Sequence, residues 1–175
     1  MTGDTLVIRR AGRNDLDSLV ALTVRAFHQA YDGKSPAPEI DAHIARHFTN
    51  DKLVAEITDP DTIMLLADSA EGLLGYALLR VGSATPLVPE PGPVELCRIY
   101  FDAAASGRGH GSALMPACLE AAREKGGGVI WLSVWEENHA AIRFYERWGF
   151  RRVGTQPFDF GGTWYEDPIM SRLLA

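Results

Sequence analysis

The sequence predicts an α/β domain on a mixed sheet, and three stretches carry that prediction. Residues 94–101 read as a strand that runs through Ser106-Gly107-Arg108-Gly109-His110-Gly111-Ser112 into an apolar helix. The nearly all-apolar run Val129 to Trp135 follows that helix, as expected of a strand buried on both faces. A strand, helix, strand crossover of this kind is right-handed and makes a parallel pair. The strand signals before and after it are short-range and antiparallel, so the sheet is mixed and mostly antiparallel, with helices on its flanks.

Each element has its own signal. Leu6 to Arg10 reads as a first strand, and Asn14 as the cap of a helix. Its apolar positions Leu16, Leu19, Val20, Thr23, Phe27, Ala30 and Tyr31 form one helical face. Pro36 and Pro38 punctuate a loop before a second helical region, Glu39 to Ile57. Thr62–Ala67 and Leu73–Val81 form a strand pair turned at 68–72. The proline-rich segment 85–93 is excluded from helix and central strand and reads as a surface loop. The helix after the glycine loop ends at Gly126-Gly127-Gly128, and Pro116 inside it is expected to kink it or loosen its first turns. Asn138 caps a short helix with Ala141, Phe144, Tyr145 and Trp148 on one stripe, stopped by Gly149. Phe150–Phe160 and Tyr165–Leu174 complete the sheet as an antiparallel pair.

Composition narrows the function class. A chain of 175 residues reads as one domain, 1–175, with room for a sizeable core. Seventeen basic against 23 acidic side chains leave a net charge of −6, which argues against nucleic-acid binding and suits a cationic ligand. No apolar run has the length of a membrane span, and the start of the chain lacks the pattern of a secretory signal. Cys97 and Cys118 are too few for a disulfide framework, so a reducing cytoplasm is expected. Monomer and homodimer are both compatible with the chain.

The glycine loop is an anion cradle. Backbone N–H groups free of side chains, at the positive end of a helix dipole, suit a phosphate, and Arg108 adds a planar donor fork. A mononucleotide loop requires Gly-Lys-Ser/Thr, whereas this chain has Gly111-Ser112-Ala113. A dinucleotide fold requires more parallel strands than remain after Trp135. His43 and His47 have metal-ligand spacing but neither an adjacent Glu nor a third ligand, so no metal is expected.

The Arg98-Ile99-Tyr100-Phe101 strand, the loop at 106–111, Asn138 and Phe144-Tyr145-x-x-x-Gly149-Phe150 together resemble the GCN5-related N-acetyltransferases. Trp131-Leu132-x-Val134-Trp135-Glu136-x-Asn138, Phe158-x-x-Gly161 and Asp167-x-x-Met170 are similar to the bacterial spermine/spermidine N-acetyltransferases within that group. The resemblance implies the GNAT fold, with the parallel pair splayed at an acetyl-CoA site. It implies that the backbone of Ile99, Tyr100 and Phe101 pairs with the pantetheine arm. By the same resemblance Ser106, Gly107, Arg108, Gly109, His110, Gly111 and Ser112 hold the pyrophosphate. Ser106 stands where the family usually has Arg or Gln. Asn138 is placed on the cofactor arm and Arg147 near the nucleotide phosphate.

For the chemistry, Tyr145 is the expected general acid, a phenol that protonates the leaving thiolate. An amine must lose a proton before attack, and the carboxylates at hand are Glu95 and Glu136, with Glu95 preferred. Cys97 in a strand is expected to be inert, so transfer is direct, without an acetyl-cysteine. Phe27, Tyr31, Trp135 and Trp164 are expected walls of the acceptor groove, and Glu95, Glu136 and Asp159 its charges. The predicted activity is acetyl transfer to a primary amine, with a polyamine as leading acceptor. Amino-acid-like, aminoglycoside and protein N-terminal amines are the alternatives, with a non-catalytic CoA-binding module beyond them.

Overall fold

The computed structural model describes residues 5–105 and 108–175. Seven strands form one sheet: β1 (Val7–Arg10), β2 (Thr62–Ser69), β3 (Gly72–Val81), β4 (Pro93–Phe101), β5 (Val129–Ser133), β6 (Arg151–Phe160) and β7 (Thr163–Leu173). Their spatial order is β1-β2-β3-β4-β5-β7-β6. Every pairing is antiparallel except β4 with β5, as the glycine-loop crossover predicts. The parallel pairing covers only Pro93–Glu95 against Val129–Trp131. Beyond Glu95 the two strands part, and β5 continues against β7 alone.

Helices cover both faces. Along β2, Ile63 and Leu65 pack toward α4 (His110–Glu124) and α5 (His139–Arg147), while Met64 and Leu66 pack toward α1 (Leu16–Tyr31) and α3 (Asn50–Thr58). All four are buried, so this central strand lies between two apolar layers.

Several local expectations need correction. The helical region expected over 39–57 is two helices, α2 (Ala37–His47) and α3. The break falls at Phe48, which is buried in an aromatic cluster, and at Thr49, whose hydroxyl accepts from Lys52 N–H and caps α3. Asn14 does not cap α1. It lies in a 3₁₀ turn, Arg13–Asp15, and Asp15 occupies the cap position, where its carboxylate also binds Gly12 N–H and Arg9. Helix α4 runs unbroken through Pro116, which is exposed. The glycine triplet after α4 permits a close approach: a Cβ on Gly128 would collide with the Pro91 carbonyl of the proline-rich loop.

Candidate active site

The site is built where β4 leaves β5. Strand β4 carries a bulge: Leu78 opposes Arg98 and Leu79 opposes Leu96, so Cys97 is the extra residue. The bulge explains a slip in the apolar spacing. Val94, Leu96, Ile99 and Phe101 all face the α4 layer, with a step of three where a regular strand has two. Cys97 and Tyr100 face the opposite layer, and Arg98 reaches α3 from the same side. On its β5 side β4 has no strand partner after Glu95 among the described residues, so the Ile99–Phe101 backbone edge is free to pair with an extended chain.

The described part of the expected anion cradle, from Arg108 onward, lies at the end of this edge. Gly109 takes φ +80° and opens α4, a conformation other residues adopt only with strain. The His110 ring stacks on Phe101 at 6.3 Å, and a Cβ on Gly111 would lie 3.4 Å from Phe144 of α5. The tip of β4, the start of α4 and the inner face of α5 therefore converge. Arg108 and Ser112 are exposed at this end, while Ser106 and Gly107 lie outside the described residues. Asn138 Oδ1 accepts from Ala141 N–H at 3.2 Å and caps α5. Arg147 lies over the Phe144 ring at 6.0 Å. The Tyr145 ring packs edge-on against Phe144 and Phe150, and burial raises the pKa of its phenol. A phenol of that kind stays protonated at neutral pH and is a donor.

On the other side of the splay a cavity of about 620 Å³ opens between α1, α2, α3 and the sheet. Of the expected groove residues, Phe27, Tyr31, Trp135 and Glu95 line it, and Glu136, Asp159 and Trp164 do not. Asp159 Oδ1 instead accepts from Gly162 N–H at 2.8 Å and shapes the β6–β7 hairpin. Trp164, opposite Asp159 on that hairpin, is exposed. Phe27 centres the aromatic wall, 4.5 Å from Tyr31 and stacked on His43 at 4.6 Å. Burial and the neighbouring His47 push the His43 pKa down to about 4, so it is a neutral wall residue at pH 7. No three His, Cys, Asp or Glu side chains cluster as metal ligands among the described residues.

Charge in the cavity is mixed. Arg98 pairs with Glu56 across β4 and α3, with both side chains mostly buried. Glu95 accepts from Ser83 Oγ at 2.5 Å, and the carbonyl of Ser83 holds the Trp131 indole N–H at 2.8 Å. Burial pushes the Cys97 thiol up to about 12, which keeps it protonated and a poor nucleophile. Asp167, on β7 beyond the end of β5, also lines the cavity and was not among the expected site residues. Its signal in the sequence is an acidic residue abutting the buried run Pro168-Ile169-Met170.

Comparisons with known proteins agree with this geometry. Residues 21–150 match the acetyltransferase (GNAT) family. An uncharacterized N-acetyltransferase from the pepI 3′ region of Lactobacillus delbrueckii subsp. lactis is 30% identical over the full length of both chains. The N-alpha-acetyltransferase RimI of Mycobacterium tuberculosis is 37% identical over 57% of this chain and 58% of its own. Among solved structures, the PaiA N-acetyltransferase of Thermoplasma acidophilum in complex with coenzyme A superposes with a TM-score of 0.78. It has 22% identity and covers 97% of this chain and 99% of that one.

Proposed function

The chain belongs to the acetyltransferase (GNAT) family and is an acetyl-CoA-dependent N-acetyltransferase, and on that premise we propose that its acceptor is a small primary amine attacked directly in a ternary complex. The observation that carries this reading is the cavity itself. It ends at the splay between β4 and β5, and carboxylates stand among its aromatic walls. An ammonium gains from both, by ion pairing and by contact with ring faces.

The roles follow from position. The cradle at Gly109–Ser112 and Arg108 fits a pyrophosphate, and the free edge at Ile99–Phe101 fits the pantetheine arm. A backbone N–H of that edge polarises the thioester carbonyl. Asn138 and Arg147 are assigned to the cofactor arm and nucleotide. Tyr145 protonates the departing thiolate, which its half-buried, protonated phenol supports. Glu95 attracts the acceptor's ammonium. Two free thiols, at Cys97 and Cys118, support a cytoplasmic setting.

Within this class a polyamine is the acceptor we favour. Its methylene stems suit the walls formed by Phe27, Tyr31 and Trp135, and its charges suit Glu95 and Asp167. Arg80 and Lys52 also line the cavity and favour a second reading, an amino-acid-like amine that carries its own carboxylate. A thiol-release assay with acetyl-CoA over an amine panel separates them. Spermidine and spermine are expected to exceed amino acids, amino-acid amides and short peptides in kcat/KM. Preference for a free amino acid over its amide would replace the polyamine reading with the second one.

A further inference from the structure

Asp167 is the carboxylate that the cavity encloses most completely. Asp167 is 5% exposed, and its Oδ1 is buried without a hydrogen-bond partner among the described residues. An unpartnered buried carboxylate oxygen is costly, and such a group calls for an explanation. Its place is informative. Val134 N–H donates to the Pro168 carbonyl at 3.1 Å, which holds β7 against the chain as β5 ends. Asp167 therefore stands directly beyond β5, where the two parallel strands have parted, with Tyr31, Tyr100, Trp135 and Tyr165 as fellow cavity walls. The Asp167 charge also acts on Tyr31 across the cavity and raises the pKa of that phenol.

We propose that Asp167 is the general base: it takes the proton from the acceptor's ammonium before nitrogen attacks the thioester. The assignment rests on the small-amine reading above. It divides labour between two carboxylates, with Glu95 held by the Ser83 hydroxyl as an anchor and Asp167 open toward the acceptor. The proton count closes. Nitrogen loses two protons overall; the first goes to Asp167 and on to solvent. The second leaves nitrogen after the carbon–nitrogen bond forms and the carbon–sulfur bond breaks, and it balances the proton Tyr145 gives to sulfur.

The surroundings of Asp167 tune it for this task. Burial pushes its pKa up to about 6, opposed by the backbone N–H of Glu136 and helped by the negative charges of Glu136 and Glu166. Tyr31 on α1, Tyr100 on β4 and Tyr165 on β7 are the titratable groups beside it on the cavity wall, and β6 presents uncharged Gln156 across the ladder. A carboxylate of this kind is mostly ionised at pH 7 yet more basic than an exposed aspartate. Protonation below pH 6 disables it.

The test is the pH dependence of kcat/KM, with acetyl-CoA and the best primary amine of the panel. The wild-type protein is expected to lose activity as pH falls through about 6. Asp167→Asn is expected to lose that limb, together with about 100-fold or more in rate at neutral pH. It should still show the wild-type thermal shift with acetyl-CoA. A fluorinated primary amine that is already neutral at pH 7 should recover most of the lost rate, because it brings no proton to remove. Asp167→Glu should keep an acidic limb at a displaced pH. An unchanged limb in Asp167→Asn, or an equal loss with the neutral amine, overturns the proposal. If Asp167→Asn fails to fold, an Asp167→Glu limb identical to wild type overturns it. Should no amine be acetylated, the acceptor reading fails by itself. The proposal then stands or falls on carbon-13 NMR of labelled aspartate: a carboxyl titrating near pH 6 that Asp167→Asn removes supports it, and its absence overturns it.

Discussion

Replacing Asp167 by Asn should make the protein more stable at alkaline pH while it impairs turnover. The folded-state pKa of about 6 lies above the ordinary 3.8, so the fold favours the protonated form. The contribution is therefore favourable below pH 3.8 and is lost as pH rises through about 6. A pKa raised this far makes the ionised group cost about 3 kcal/mol at pH 8. At pH 5, where the folded carboxyl is largely protonated, the same relation leaves about half of that cost. Asparagine avoids this cost but buries an amide in its place, which takes back about 1–2 kcal/mol. The net gain at pH 8 is then about 1–2 kcal/mol, or a Tm rise of about 4 °C for a chain of this length. The amide cost is independent of pH, so the change in the gain between pH 8 and pH 5, about 1 kcal/mol, isolates the carboxylate. Urea unfolding of both proteins at the two pH values measures it. A gain that is absent at pH 8, or equal at both, would refute the idea that this carboxylate is held against its charge.

Tyr145→Phe should lower kcat by about 10²-fold or more and leave acetyl-CoA affinity nearly intact, as read by steady-state kinetics and thermal shift. Arg98→Met strands Glu56 in a mostly buried position and should cost about 3 kcal/mol by urea unfolding. Adding Glu56→Met should return part of that loss, because the pair rather than either residue justifies the charges. In Gly75→Ala the new Cβ would lie 2.5 Å from the Phe101 ring and 2.8 Å from the Tyr100 carbonyl. That variant should lose about 1–3 kcal/mol and weaken acetyl-CoA binding, measured by calorimetry, because the displaced backbone is the edge assigned to the cofactor.

What the sequence by itself determined is what depends on neighbours along the chain. The strand over 94–101, the helix that Gly109 opens, the parallel return at 129 and the α5 cap at Asn138 are local patterns of spacing, backbone freedom and capping, and each stands where those patterns place it. The site divides along the same line. The cradle glycines and Tyr145 sit in short contiguous motifs, as do the groove walls Phe27 and Tyr31 on one helical face. Only the tertiary structure decided the rest. The end of α2 at Phe48 depends on an aromatic cluster gathered from α1, α2 and β6. The bulge at Cys97 depends on the register of β3 against β4, and only the slipped apolar spacing hints at it. Asp159 and Glu136 have the same carboxylate as Asp167, and nothing along the chain ranks the three. Burial ranks them: Asp159 is exposed in its turn and Glu136 is exposed after β5, whereas α1, β4 and the end of β5 close over Asp167. Desolvation is a property of what surrounds a group in space, and here those surroundings come from segments more than a hundred residues apart.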